Sequence, residues 1–558
     1  MKIIGKTLTT LVLLVVLAIV LLYVALQTRW AASWISNWVN ENSQYRLSVN
    51  AINYNWSTPN QIGLVGVKLA QKNQPDLLNA DEVDFHLGWR QLTDPTYFDR
   101  IVLMQGNLNL QSVSQALPVQ ADTLQLYKMT LKGNADGWNI AGDNINAGIT
   151  PWLPTKTQVL GDNAQLQLSA DNLTIDDIAA SNVLIQGKVN KQQLTLTNFG
   201  ADLARGELTG QASRAADGSW TLDNVRLSNI RMQSAQTLEG FLDSFKQIPK
   251  IDIKSLELAD ARLQGQNWAF SDVNLSVKDI TYSQGDWQSN GGNITFNATD
   301  MIANNLHFIN PAANLDFSPQ GIAIKQISTR WEGSQVSTSG NWQRDSQRLQ
   351  LDQLSIAALE YTLPENWRDL WLQTLPSWLS EVSVTKFTGT HNLVIDISPD
   401  FPFQLTALDG SGENLLLARN HQWGIWSGKL NLTASDATFN KNDLRRLSLV
   451  LDANSDSVNI SQLNAYTKEG LLEATATISQ QPRRDFSVKL TGKAVPANEL
   501  QNWGWPPLPL EGNANLQVDL KGQMPANVDF KPTLNGNLHA IVNGGKQVQQ
   551  EMVRGAVK

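Results

Sequence analysis

Alternation of apolar and polar residues with a period of two is the feature that most limits how this chain can fold. It starts in residues 45–69 and continues almost to the C-terminus, interrupted by turn sequences such as Ser57-Thr58-Pro59-Asn60. Alternating segments between turn residues predict β-strands with one apolar face, joined as antiparallel hairpins. The sequence therefore predicts a mainly β protein.

A longer repeat lies within this alternation. Three similar segments start at Leu194, Ile322 and Val458, about 128 and 136 residues apart, an interval typical of a repeating structural unit. In each segment the first, third and sixth residues are apolar, and a glycine then opens another alternating run. The in-phase apolar residues are our candidates for lining a groove: Leu194, Leu196, Leu208, Ile322, Ile324, Val458 and Ile460. The alternative interpretation of the same residues is an ordinary packed sheet core.

Helices are predicted at only two breaks in the alternation, residues 235–248 and 364–380, and Pro376 should kink or end the second. They are too few and too short to cover a sheet of this size. Its apolar face must then meet a second sheet, close into a barrel, or contact a membrane or an apolar ligand. We expect an elongated, repetitive antiparallel sheet rolled into a trough or groove, with stacked β-sandwiches as the alternative.

The N-terminus carries an uncharged stretch, residues 7–28, between Lys6 and Arg29. As a helix it would be roughly 33 Å long, which matches a bilayer hydrocarbon core of about 30 Å. Lys2 and Lys6 predict a cytoplasmic N-terminus and export of the rest of the chain. The predicted anchor residues are Leu11, Leu14, Leu17, Leu21 and Leu26. A cleaved signal peptide is the alternative, although its best site, Ala31-Ala32-Ser33, lies far beyond the apolar run.

The segment after this span predicts an amphipathic helix at the membrane surface. Trp30, Trp34 and Trp38 recur at helical spacing beside a second apolar row that starts at Ala31. Tryptophan at the end of a span favours the headgroup region of the bilayer, so these three residues are predicted to be interfacial. Packing of the tryptophans on the next domain is the alternative.

These features divide the chain into eight predicted regions. They are residues 1–6 (cytoplasmic), 7–28 (transmembrane), 29–41 (interfacial helix), 42–234 (first β region), 235–248 (helical), 249–363 (second β region), 364–380 (helical) and 381–558 (third β region with a polar tail).

Composition argues against several classes of function. The net charge is −8 with no basic stripe, so nucleic acid is not expected as a partner, and the absence of cysteine excludes thiolate chemistry. The five histidines do not lie at metal-ligand spacing from one another, and Asp84 with His86 is interpreted as a surface strand pair. Motifs for a nucleophile elbow or a phosphate-binding loop are missing. We predict no catalytic residues, no metal and no cofactor, and hence no enzyme.

The order of elements resembles the AsmA family of Gram-negative envelope proteins. The resemblance rests on the basic N-terminus, the single span, the tryptophan-rich exit helix and the segments IVLMQGNLNL from Ile101 and NWGWPPLPLEGNANLQ from Asn502. It implies an inner-membrane protein with a periplasmic β body, related to larger members regarded as bridge-like lipid-transfer proteins. The implied partners are phospholipid or another acyl-chain lipid, the inner membrane and envelope assembly proteins. Two functions stay open: phospholipid binding or conduction, and a non-transporting scaffold for outer-membrane protein biogenesis.

Overall fold

The computed structural model of the chain describes residues 2–109, 119–135, 138–155, 159–176, 178–246, 250–525, 529–542 and 544–557. They form two compact units. Unit 1 comprises Met1–Ser234, Gly240–Gln264 and Val277–Asp286; unit 2 comprises Ala235–Glu239, Gly265–Ser276 and Trp287–Lys558. Each unit is described by itself below.

The described helices are α1 (Lys2–Leu26), α2 (Arg29–Asn42), α3 (Leu238–Phe245) and α4 (Trp367–Leu372). The strands of the first half are β1 Tyr45–Ser48, β2 Ala51–Tyr54, β3 Gln61–Gln71, β4 Asp76–His86, β5 Tyr97–Asn109, β6 Gln120–Ala135, β7 Trp138–Thr150, β8 Asn163–Ile175, β9 Ile178–Asn190, β10 Gln193–Leu203, β11 Gly206–Arg214, β12 Trp220–Ser228, β13 Arg231–Gln233, β14 Ile251–Gln264, β15 Trp268–Ser283, β16 Asp286–Trp287 and β17 Gly292–Asn297.

The strands of the second half are β18 Asp300–Ala303, β19 Leu306–Ser318, β20 Gly321–Trp331, β21 Ser334–Gln343, β22 Arg348–Ala357, β23 Glu360–Thr362, β24 Glu381–Asp396, β25 Phe403–Arg419, β26 Gln422–Phe439, β27 Asn442–Ala453, β28 Ser457–Tyr466, β29 Leu471–Ser479, β30 Asp485–Pro496, β31 Asn513–Gln523, β32 Asn535–Val542, β33 Gln547–Val553 and β34 Ala556–Val557. The prediction of a mainly β protein with a long antiparallel sheet and few helices is confirmed. The trough stays a prediction.

Parallel pairs interrupt the antiparallel order at three places among the described strands. Strand β6 runs parallel to β5, β14 runs parallel to β12 and β13, and β24 runs parallel to β22 and β23. A parallel return needs a crossover connection, and α3 and α4 lie in the second and third of these connections. The segment between β5 and β6 falls largely in residues 110–118, outside the described residues.

Both helices are shorter than predicted. Helix α3 occupies the middle of 235–248, and residues 247 and 248 lie outside the described part of the chain. Helix α4 ends at Leu372, and Gln373 is already extended, with φ −68° and ψ 146°. Pro376 is therefore not the residue that ends the helix.

Candidate functional site

Apolar residues of unit 1 form a continuous row across its strands. Residues directly opposite each other on neighbouring strands share a face of the sheet, so the strand register can be followed from one strand to the next. Leu196 on β10 lies opposite Gly187 on β9 and Ala212 on β11. The complete first row, from β2 to β14, is Tyr54, Ile62, Phe85, Ile101, Leu124, Ile149, Leu166, Gly187, Leu196, Ala212, Leu222 and Ile253.

A second row lies beside the first on the same face of the same strands. Its members are Ile52, Leu64, Val83, Leu103, Leu126, Ala147, Leu168, Ile185, Phe199, Gly210, Val225 and Leu256. Neither row contains a charged residue. Leu208 belongs to a further row with Ala201 and Leu227. We call the surface formed by these rows the apolar face of unit 1.

The opposite face of the same strands is polar. Thr195, next to Leu196, lies opposite Lys188 on β9 and Ser213 on β11, and Lys188 lies opposite Gln165 on β8. The period-two alternation of the sequence thus separates an apolar from a polar face.

Unit 2 has an apolar face of the same kind, and it contains the other four candidates. Ile322 lies opposite Phe317 and Trp342, and Ile324 lies opposite Leu315 and Gly340. The row through Ile460 is the longest and is interrupted only by Thr338: Phe296, Ala313, Ile327, Thr338, Leu354, Phe387, Gly412, Leu430, Leu451, Ile460, Ala476, Val488, Leu520, Gly536 and Met552. The row through Val458 is Gly428, Ala453, Val458, Ile478, Phe486 and Gly522.

A shared β-bulge explains the spacing of the sequence repeat. The strand register shifts between Leu196 and Phe199 on β10, between Ile324 and Ile327 on β20, and between Ile460 and Leu463 on β28. A bulge inserts one extra residue, so the next residue on the apolar face is the sixth and not the fifth. The three segments are therefore equivalent in structure as well as in sequence.

Burial differs along these rows. In the second row of unit 1, Ile52, Leu64, Val83 and Leu103 are buried, with exposures of 3–8%, whereas the five residues that follow, from Leu126 to Phe199, are only half-buried. Of the seven candidates, Val458 is buried and the other six are half-buried. A fully covered sheet core would bury them all.

Covering segments explain the buried parts. Ala31, Ala32 and Ile35 of α2, together with Trp152, pack into the cluster that holds the β2–β7 end of unit 1. In unit 2, Leu500 and the proline-rich segment with Trp505 and Leu508 pack over the C-terminal strands. The clusters around Ile145 in unit 1 and around Leu351 and Leu451 in unit 2 consist of strand residues alone among the described residues, whereas the cluster around Val382 also contains Leu375 and Leu379 from the segment after α4.

The N-terminal helices place the predicted anchor residues at the surface. Leu11, Leu14, Leu17 and Leu21 are 50–61% exposed, and Leu26 is half-buried. Among the residues searched, no single helix is long and apolar enough to cross a bilayer alone. The helices Leu11–Leu26 and Arg29–Asn42 are bent by 75° relative to each other. Taken together, they are long and apolar enough to cross a bilayer, by length and composition.

Helix α2 directs its two apolar rows to different surroundings. Trp30, Trp34 and Trp38 are 70%, 59% and 57% exposed, whereas Ala31 and Ala32 are 6% and 1% exposed. Within the described part of the chain, the tryptophans are therefore largely exposed and do not pack on the strands that follow. The small residues beside them hold α2 on the sheet.

Asp84 differs from its interpretation as a surface residue. It is 6% exposed and accepts a hydrogen bond from Nε2 of Gln61 at 2.8 Å. Burial, and then the charge of Glu82, raise the pKa of the Asp84 carboxyl. Within the described residues, no group of three His, Asp or Glu side chains is arranged to hold a metal ion.

Comparison with known proteins places the chain in a family. The model of the AsmA family matches residues 1–547. The chain belongs to the AsmA family. Its curated relatives include the AsmA family protein YicH of Escherichia coli (strain K12), which is 48% identical over 517 residues, covering 93% of this chain and 91% of the relative. No solved structure matches the chain.

Sequence reasoning missed two parts of this AsmA family fold. The covering role of α2 rests on Ile35 and on Ala31 and Ala32, and the small side chains of the two alanines give little apolar signal. The covering role of the proline-rich segment depends on contacts with strands distant in sequence, such as the hydrogen bond from Nε1 of Trp505 to Oε1 of Gln550 at 2.6 Å.

Proposed function

We propose that this protein is a single-pass inner-membrane protein whose periplasmic β body binds phospholipid acyl chains on its apolar face and conducts them along it, in support of outer-membrane lipid homeostasis. The observation that carries the proposal is the half-burial of uncharged rows that cross many strands of each unit. An apolar surface of this extent is usually covered by protein, by membrane or by an apolar ligand.

The N-terminal helices support a membrane location. Exposed leucines on α1 and exposed tryptophans on α2 suit the bilayer core and its headgroup region. Lys2 and Lys6 precede the apolar run, which favours a cytoplasmic N-terminus and a periplasmic body. A lipid leaving the outer leaflet would then reach the apolar face of unit 1 beyond the strands that α2 covers.

Binding would follow from burial of hydrocarbon, about 0.8 kcal/mol for each CH₂ group. A lipid held at one fixed point would not move, because two acyl chains would bind too tightly. Rows that repeat from strand to strand offer successive equivalent positions, so a chain sliding along them stays buried at each step. Headgroups would remain in water, and no catalytic step is required.

Site-specific photocrosslinking tests this proposal. A benzoylphenylalanine introduced at Leu196 or Ile324, in cells of a Gram-negative host, should become linked to phospholipid. The same group at Thr195, on the polar face, is the matched control and should not. Equal labelling at all three positions, or none, would favour the non-transporting scaffold, in which exposed polar surface carries the function.

A further inference from the structure

Two arginines of unit 2 meet at one tryptophan near the ends of three hairpins. The guanidinium carbon of Arg419, the last residue of β25, lies 4.2 Å from the ring centroid of Trp426, and that of Arg484 lies 5.2 Å from the same ring. Trp426 is 8% exposed and both arginines are half-buried.

The positive charge of this pair is not neutralised within the described residues. Neither guanidinium forms a salt bridge with Asp or Glu, although Arg348 and Arg368 of the same unit do. Burial, and then the charge of Arg419, lower the pKa of Arg484. Half-buried charges are normally paired, so two unpaired like charges at one tryptophan ring indicate a place for an anion.

A buried glutamine holds Arg484 in place. Gln480 is 8% exposed, and its Nε2 donates a hydrogen bond to the carbonyl oxygen of Ile425 at 2.8 Å. Its Oε1 accepts a hydrogen bond from Nη1 of Arg484 at 3.1 Å. Arg484 is therefore fixed by the fold and is not a mobile surface side chain.

This arrangement lies at the border of the apolar face of unit 2. Arg484 lies two residues before Phe486 in the chain, and Gln480, which bonds Arg484, lies two residues after Ile478. Ile478 and Phe486 belong to the row that crosses β26 to β31. A ligand could thus contact the arginines and the apolar row at the same time.

We propose that Arg419 and Arg484 bind the phosphate group of a glycerophospholipid whose acyl chains lie on the apolar face of unit 2. The assignment deepens the proposed function and rests on it. Guanidinium groups hydrogen-bond phosphate oxygens through two N–H groups at once, and phosphate lies one glycerol unit from the acyl chains. Free phosphate has the same chemistry and is separated from lipid by the test below.

A second basic cluster supplies a matched control. Arg445, Arg446 and Lys493 are exposed around an open cavity of about 460 Å³. Lys493 is paired with Glu473 at 2.7 Å. Arg445 lies in register with Tyr466, next to Ala465, whose buried side chain belongs to the core cluster of this unit. Adjacent strand residues point to opposite faces, so Arg445 is on the polar face.

The test is quantitative lipid analysis of the purified full-length protein, comparing wild type with R419Q/R484Q, R419K/R484K and R445Q/R446Q. We expect wild type to be enriched in anionic phospholipid over phosphatidylethanolamine, because the ammonium group of the latter offsets the charge of its phosphate. The enrichment should be about tenfold smaller in R419Q/R484Q, as expected for lost hydrogen bonds to a charged group. The lysine pair should retain part of it and R445Q/R446Q all of it. Equal enrichment in wild type and R419Q/R484Q would overturn the assignment.

Total lipid and the thermal unfolding temperature separate the remaining outcomes. R419Q/R484Q should keep the wild-type unfolding temperature; if it unfolds, the folded R419K/R484K variant must show the reduced enrichment instead, and full enrichment there overturns the assignment. Wild type without any lipid would contradict the proposed function itself. If lipid enrichment is equal in wild type and R419Q/R484Q, the headgroup assignment is rejected, and calorimetric titration with inorganic phosphate tells what the arginines do instead. Phosphate binding that R419Q/R484Q abolishes would then mean an anion site that does not serve lipid, and absence of binding would mean no anion site.

Discussion

Two parts of one row in unit 1 have the same sequence pattern and different surroundings. Leu124 and Leu196 lie in the same row, but Leu124 is 7% exposed within the cluster covered by α2, whereas Leu196 is half-buried. Alternation creates an apolar face at both places. Whether that face becomes a core or an open surface depends on a covering segment supplied from elsewhere in the chain.

The largest expected effect contrasts these two leucines. Leu124→Asp should lower the free energy of unfolding by about 4 kcal/mol or more, because it opens a packed cluster and buries a charge. Leu196→Asp should cost about 1 kcal/mol, because solvent reaches the new carboxylate. Chemical denaturation of both variants measures the difference. Equal losses would mean that the row is covered throughout.

The covering helix gives the next effect. Ala32→Glu, at a residue 1% exposed, should cost about 3 kcal/mol by forcing a charged side chain between α2 and the sheet. Ser33→Glu, on the exposed side of α2, is the control and should leave the unfolding temperature unchanged. If both variants behave like wild type, α2 does not hold the β2–β7 end closed.

The amount of phospholipid that co-purifies with the protein tests the open part of the row separately from protein stability. Leu196→Asp should reduce the phospholipid that co-purifies with the full-length protein, by no more than about tenfold. The reduction is limited because the new charge removes one acyl-binding position on the apolar face and leaves the other equivalent positions intact. Thr195→Asp, the adjacent residue on the polar face, should leave it unchanged. Lipid extraction and mass spectrometry give the ratio, and equal losses in the two variants would argue against binding on the apolar face.

The smallest effect concerns Asp84, which lies between Val83 and Phe85 on β4 and therefore on the polar face of unit 1. Its pKa is raised in the folded protein, so the folded state favours the neutral acid. The contribution of Asp84 to the free energy of unfolding is fully present below the ordinary aspartate pKa of about 3.9. It is lost as the pH rises through the pKa that Asp84 has in the folded state. Asp84→Asn should therefore raise the unfolding temperature at pH 7, and the gain should disappear in acid.

Thermal scans of wild type and Asp84→Asn across this pH range measure that gain. The exposed Asp81→Asn is the control and should show none. A gain that does not depend on pH would attribute the effect to packing and not to ionisation.

Local pattern predicted the strands and the apolar face, because side-chain direction follows directly from the period of two. It also located the repeat, although the bulge that places Phe199 and Ile327 on that face is visible only in the strand register. The parallel returns could not be predicted, since nothing local separates a crossover from a hairpin. Arg419 and Arg484 are distant in sequence and meet only because three hairpins end together.

Native mass spectrometry of the full-length protein, with extraction and identification of bound lipid, tests the central claim most directly. If the half-buried rows form an open acyl-binding surface, wild-type protein should carry phospholipid, and α2 must be retained because it closes one end of the cluster. A stable, monodisperse and lipid-free protein would contradict the account, because its apolar faces would then be satisfied by the protein itself.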